Sequence, residues 1–305
     1  MPTTIKEIER FLRFLSTEKQ YSHHTIKNYQ RDLYKFANHF NLQKYTLNDV
    51  KQQHCQQYIY QLEQEKYSRK SIARHLSTLR SFWSYVSSKN KEVSNPWQIM
   101  SSPRIKKQFP QILSHKDIHT FLNTLETKTP IDIRNKSICE LLYSSGIRVS
   151  ELCNISLEHI NWQEKEIHII GKGNKERSVL FGETTKKFLR NYIQNVRTKW
   201  AKNKQDKVFL NTYGSALSTR SVQRIIKTAA KKQNLQQHIT PHTFRHCFAT
   251  NLYEGGADLS IVQHLLGHEN INSTQIYTHL SVKHLKKVFN NAHPRASLKK
   301  NKEKS

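Results

Sequence analysis

Apolar residues recur at helical spacing through the first ninety positions. Ile8, Phe11, Leu12 and Leu15 follow a capping-box pattern of Thr4 and Glu7, and Ile26, Tyr29, Leu33 and Phe36 follow Ser22. Thr46 can cap a third helix carrying Val50, Tyr58 and Leu62. Ser68 or Ser71 can open a fourth, with Ile72, Leu76, Leu79 and Phe82 or Trp83 inward. The pattern predicts an all-helical bundle over residues 1–93, its polar faces rich in Lys, Arg, Gln and His. Asn95-Pro96, Ser101-Ser102-Pro103 and Phe109-Pro110 cannot continue a helix, so 94–112 is expected as an interdomain linker. Its Arg104, Lys106 and Lys107 fit phosphate contact or plain solvation equally well.

The second domain is expected over 113–297, with helices near 114–126 and 132–145. Glu166-Ile167-His168-Ile169-Ile170 alternates and is β-branched, Gly171-Lys172-Gly173-Asn174 is a turn, and Arg177-Ser178-Val179-Leu180 can return as a second strand. Helices resume at 183–199, 218–233, 241–254, 258–266 and 281–290. The fold class is therefore mainly α, with a small antiparallel β-sheet in the second domain. The tail 298–305 is charged and expected to be flexible.

Charge changes this picture most. Fifty Lys and Arg against 23 Asp and Glu give a net charge of +27. A surface that basic repels itself unless an acidic partner binds, and nucleic acid is the natural one because each neutralised phosphate releases a counterion. The cations are spread along the chain rather than set beside one amphipathic face, which argues against a membrane surface. Mean hydropathy is −0.76, and no apolar run approaches the roughly 18 residues of a membrane span. The first residues show no signal-peptide pattern, so a cytoplasmic protein is expected. Cys55, Cys139, Cys153 and Cys247 form no C-x-x-C pair, and they read as reduced core residues rather than a disulfide framework or zinc finger.

Several polar residues are candidates for chemistry. Thr240 can cap, and Pro241 begin, a helix that sets His242 and Arg245 on one face at its positive end, where they can grip a phosphate together. Arg148 follows a glycine turn, and Glu151, three residues on, can hold its guanidinium. Lys172 sits at the hairpin tip, and this is not a phosphate-binding P-loop, because G-x-x-x-x-G-K-[ST] is absent. His264 and His268 have zinc-like spacing, but Gly267 interrupts the helix and no third ligand presents itself, so no metal site is expected. Tyr277 alone would be read as packing. Each feature by itself has an ordinary explanation as a surface ion pair, a solvated lysine or a core ring.

Their order is more specific than any one of them. Arg148, Lys172, His242-x-x-Arg245, His268 and Tyr277, within "SGIRVSEL", "GKGNKER", "HTFRHCFATNL", "GADLSIVQHLLGH" and "TQIYTHL", resemble the active-site series of the tyrosine recombinase (phage integrase) family. The likeness covers nearly the whole chain and points to the Xer branch, and the ending Ala292-His293-Pro294-Arg295-Ala296 is more similar to the XerC than to the XerD group. Phe244 and Leu180 depart from common family choices, both as apolar changes beside the chemistry.

The resemblance implies an N-terminal SAM-like core-binding domain, a C-terminal catalytic domain and a two-domain clamp on duplex DNA. It implies Tyr277 as nucleophile, Lys172 as general acid, and Arg148, Arg245, His242 and His268 as stabilisers of phosphate charge, with Glu151 in support. It implies no cofactor. It also implies strand exchange through a 3′-phosphotyrosyl intermediate and a Holliday junction, with an XerD-like second recombinase in a heterotetrameric synapse and a DNA translocase as activator. The segment 281–297 is expected to pack on a neighbouring protomer, and the helix at 218–233, with Arg220, Arg224 and Lys227, to face DNA. Competing readings are a phage or mobile-element integrase, a topoisomerase-like relaxase and a non-catalytic DNA-binding protein.

Overall fold

Local side-chain chemistry starts the helices. Ser22 Oγ accepts from the Thr25 N–H at 3.2 Å, Ser68 from Ser71 at 3.2 Å, and Ser218 from Ser221 at 3.1 Å. The computed structural model describes residues 3–41, 45–104, 115–170, 176–202, 205–235, 239–267 and 282–296. The chain divides into two compact units, one within Met1–Gln108 and one within Phe109–Ser305.

The first unit holds α1 (Thr3–Thr17), α2 (His23–His39), α3 (Gln52–Gln64) and α4 (Arg69–Lys89). Phe11, Phe36, Tyr58, Leu79, Phe82 and Trp83 are wholly buried along the predicted apolar stripes. Thr46 does not open the third helix. It caps a 3-10 turn over Leu47–Asp49, the chain goes extended at Val50, and α3 begins only at Gln52. The stretch 94–104, expected as linker, is folded onto this unit. Trp97 is completely buried, its ring 5.2 Å from that of Phe36. Arg80 secures the stretch by donating to the carbonyls of Trp97 (3.0 Å) and Met100 and to Ser102 Oγ (3.1 Å). Proline ends a helix but does not prevent packing, and burying an indole is worth roughly 2–3 kcal/mol.

The second unit is built around α6 (Pro130–Ser145), which follows α5 (His115–Thr124). Thr129 and Asp132 form its capping box, Pro130 takes the first turn, and Gly146 ends it in the left-handed conformation at φ 60°. Its Ile138, Cys139, Leu141 and Leu142 are fully buried, so it is a central helix. Then come α7 (Val149–Asn154), a three-stranded antiparallel sheet in the order β1 (Ile160–Asn161), β2 (Glu166–Ile170), β3 (Glu176–Leu180), and α8 (Glu183–Tyr192). α8 runs through a π turn at Ile193–Arg197 into the short α9 (Thr198–Trp200). In the hairpin Ile167 faces Val179 and Ile169 faces Arg177. The remaining helices are α10 (Thr219–Lys232), α11 (Pro241–Glu254), α12 (Leu259–Leu266) and α13 (Val282–Ala292).

In the single chain, residues 282–296 pack on the second unit to which they belong. Leu285, Phe289 and Ala296 pack with Phe248, Leu252, Leu265 and Leu266 in one apolar cluster. Arg295, its side chain 6 % exposed, lies 3.5 Å from the fully buried Glu140 and donates to Asn123 Oδ1 at 2.8 Å. Lys136 flanks the same carboxylate at 3.5 Å. A buried cation needs a partner on site, and Glu140 supplies one within the same chain.

Candidate active site

Among the described residues, two helices of the second unit end in a left-handed glycine. Gly146 closes α6, and Gly267, at φ 66°, closes α12. A helix C-terminus leaves carbonyls without intrahelical partners at the negative end of its dipole, where cations are favoured. Two arginines occupy these ends. Arg245, one turn into α11, donates from Nη1 to the Gly146 carbonyl at 2.7 Å and from Nη2 to the Leu266 carbonyl at 2.6 Å. Arg148 donates from Nη2 to the Gly267 carbonyl at 2.8 Å. Three stretches distant in sequence, 146–148, 245 and 266–267, thereby meet through two guanidiniums.

Glu151 organises this group. As the third residue of α7 it accepts from the Arg148 backbone N–H at 2.9 Å and from Arg148 Nη1 at 3.0 Å. Arg177 of β3 adds a two-pronged pair at 3.0 and 2.8 Å. Burial would push the Glu151 carboxyl up, but the hydrogen bonds from Arg177 and Arg148 outweigh it and hold the pKa below the usual range. Burial and then the neighbouring Arg148 charge pull Arg245 down to about 10, so it remains a cation at neutral pH. The arrangement is a fixed, half-buried field of positive charge suited to an anionic phosphodiester.

His242 stands three residues before Arg245, exposed in the first turn of α11. Thr240 caps that turn by accepting from the Thr243 N–H at 3.3 Å. The structure therefore brings together Arg148, Glu151 and Arg245, with His242 on the helix that carries Arg245. Lys172, His268 and Tyr277 lie outside the described residues. Sequence reasoning passed over Arg177. A signal for it existed: a cation two residues before Val179 on an alternating strand falls on the core-facing side, where it must find a partner.

Comparison with known proteins fits this geometry. Residues 8–90 match the phage integrase N-terminal SAM-like domain, and residues 111–284 match the phage integrase family. The tyrosine recombinase XerC of Anoxybacillus flavithermus is 40 % identical over 290 residues, covering 94 % of this chain and 97 % of the relative. The tyrosine recombinase XerD of Staphylococcus saprophyticus is 38 % identical over 291 residues, covering 95 % and 99 %. So narrow a difference does not separate the two groups. Among solved structures, the Tn1549 transposon integrase in complex with circular intermediate DNA matches with a TM-score of 0.72 at 19 % identity, over 94 % of this chain and 99 % of that one. The XerH recombinase bound to a palindromic difH substrate matches with a TM-score of 0.67 at 22 % identity, over 93 % and 83 %. These two likenesses concern the fold, whereas the sequence relatives carry the assignment along nearly the full length of both chains. The chain belongs to the phage integrase family of tyrosine recombinases and is a site-specific DNA recombinase, an enzyme that cleaves and rejoins DNA strands.

Proposed function

We propose that this recombinase resolves chromosome dimers at cell division, working in the cytoplasm beside an XerD-like partner in a heterotetramer on duplex DNA. The observation that supports the catalytic reading best is the convergence of Arg148 and Arg245 on the ends of α6 and α12. A phosphodiester resists attack because it is anionic and its alkoxide leaves poorly. Two guanidiniums neutralise the non-bridging oxygens, and His242 and His268 add hydrogen bonds that strengthen as charge builds on the pentavalent phosphorus. The Tyr277 hydroxyl oxygen attacks phosphorus as its proton passes to solvent, and the bond to the 5′ oxygen breaks. Lys172 supplies the proton that the departing oxygen takes. The product is a 3′-phosphotyrosyl enzyme and a free 5′ hydroxyl. When the 5′ hydroxyl of the partner duplex attacks in turn, Tyr277 is released and a Holliday junction forms. Phosphodiester bond energy is conserved, so rejoining needs no nucleotide.

The two matched domains support a clamp, with the N-terminal helical unit as core-binding domain and the second as catalytic domain. The exposed Arg220, Arg224 and Lys227 of α10 stand opposite its buried Val222, Ile226 and Ala230, which suits contact with the DNA backbone. The ending at 292–296 supports the XerC-like side of the pair, and a DNA translocase would activate one member of it.

The test is recombination of a supercoiled plasmid carrying two directly repeated chromosomal sites, with and without the XerD-like recombinase of the same cell. Holliday junctions and resolved circles that require both proteins support the proposal. Relaxation without exchange would point to a relaxase, and efficient joining of unrelated sites by this chain alone would point to a mobile-element integrase.

A further inference from the structure

We infer that Arg177 is a positioning residue for the arginine site: it clamps Glu151 in the orientation that fixes Arg148. The inference rests on the catalytic reading of Arg148 given above.

Glu151 alone would be an ordinary capping carboxylate. What sets it apart is that both its oxygens are shared. Oε1 accepts from Arg148 Nη1 and Arg177 Nη1, each at 3.0 Å. Oε2 accepts from the Arg148 backbone N–H at 2.9 Å and from Arg177 Nη2 at 2.8 Å. Four donors on two oxygens use nearly all the acceptor capacity of a carboxylate. With this planar fork on one side, Glu151 has one arrangement left toward Arg148. The side chains of Arg177 and Glu151 are 17 % and 9 % exposed. An exposed ion pair adds little to stability and holds little in place, but this one is screened from water and joins strand β3 to helix α7 across 26 residues of sequence.

Arg177 also meets the other support of Arg148. A Cβ added at Gly267 would lie 2.8 Å from Arg177 Nε, so the guanidinium packs directly against the residue whose carbonyl receives Arg148 Nη2. Arg177 Nε is buried and has no hydrogen-bond partner among the described residues. Its place is set by the two bonds to Glu151 and by contact with Gly267. Arg177 therefore touches both groups that hold Arg148, and each of its terminal nitrogens gives an N–H to Glu151. That is the geometry of a group acting through another rather than on substrate. It also places the demand on arginine: a lysine offers one point charge and cannot span both carboxylate oxygens.

The experiment measures single-turnover formation of the covalent protein–DNA adduct on a nicked recombination site at saturating DNA, with DNA affinity and melting temperature measured alongside. The variants are Arg177→Gln, Arg177→Lys, Glu151→Gln, the Arg177→Gln/Glu151→Gln pair, and Arg148→Ala. Arg177→Gln is expected to slow adduct formation about 100-fold, by analogy with loss of one charge-stabilising donor, with affinity within about threefold of wild type. Arg177→Lys should recover part of the rate. The double variant should be no slower than the worse single variant, because both changes break one unit. The acid limb of the pH–rate profile should move upward in Arg177→Gln, since Glu151 then keeps only Arg148 and the more distant charge of Arg245 against burial. A wild-type rate in Arg177→Gln, while Arg148→Ala abolishes the adduct, overturns this inference and leaves the catalytic reading standing. So does a double variant in which the two losses multiply. An undiminished adduct in Arg148→Ala overturns the catalytic reading itself. If Arg177→Gln is unfolded at the assay temperature, Arg177→Lys decides: a wild-type rate and an unmoved acid limb overturn the inference.

Discussion

Arg148 and Arg245 rest on consecutive carbonyls, the first on Gly267 at 2.8 Å and the second on Leu266 at 2.6 Å. The end of α12 thus sets the spacing of two cations that belong to different helices. Like charges so close repel, and the exposed carbonyls of a helix C-terminus offset that repulsion together with Glu151. The field is built before DNA arrives, which is what lowers a barrier rather than merely binding substrate.

Arg245 spans two carbonyls from two helices, and a lysine can meet only one. Arg245→Lys should lose about 100-fold in the rate of adduct formation, while DNA affinity at fixed salt changes little. Equal rates for the two proteins at saturating DNA would show that the bridge between Gly146 and Leu266 is dispensable.

Gly146 combines positive φ with close packing. A Cβ there would lie 2.5 Å from Phe248 Cδ1. Gly146→Ala should destabilise the second unit by about 2–4 kcal/mol through backbone strain and overpacking together. Urea unfolding reads this as a lower midpoint with an unchanged slope, and an unchanged midpoint would contradict the packing described.

The Arg295–Glu140–Lys136 cluster makes the C-terminal segment part of the core of its own chain. Arg295→Met would leave Glu140 with one cation in place of two and is expected to cost about 3 kcal/mol. It should also expose the segment after Ala292 to limited proteolysis. Resistance equal to wild type would mean that Arg295 does not anchor the segment.

In the first unit Asp32, fully buried, accepts from Arg74 and, at 3.3 Å, from Thr78, while Tyr58 Oη lies 3.1 Å from His75 Nδ1. Burial pulls the His75 pKa down to about 4, against the pull of Asp32. The folded state therefore binds fewer protons at His75 than the unfolded state does. The stabilising contribution is complete above about 6.5, the unfolded value, and is lost as pH falls through about 4. Thermal melts should show the first unit weakening across that window by roughly 2–3 kcal/mol. A His75→Asn variant should flatten the dependence, and an equally steep decline in it would assign the effect elsewhere.

Much of this was legible in the sequence because the signals are local. Ser22, Ser68, Ser218 and Thr240 mark helix starts by a side-chain bond three residues long, and the period of Ile72, Leu76 and Leu79 reports the buried face directly. Glu151 was legible as a partner of Arg148 for the same reason. Trp97 was not: an extended segment docking on a helical bundle has no period, and the prolines beside it look the same in a free linker. β1, at two residues, is too short to show alternation and exists because β2 offers it an edge. Arg177 was hidden by distance, since its partner lies 26 residues away and only the fold brings them together. The placement of 282–296 turned on Glu140, a buried carboxylate that α6 presents without any local sign of its cations.

On the proposed mechanism Tyr277 becomes covalently joined to DNA. The most direct measurement mixes the purified chain, and separately its Tyr277→Phe variant, with a nicked duplex carrying the chromosomal recombination site and the partner recombinase. Adducts that survive SDS are then resolved by gel. An adduct of this chain with the 3′ phosphate, present in wild type and absent in Tyr277→Phe at equal DNA binding, is the predicted result. Tight binding with no adduct from this chain across several sites, or an adduct undiminished in Tyr277→Phe, would contradict Tyr277 as the nucleophile.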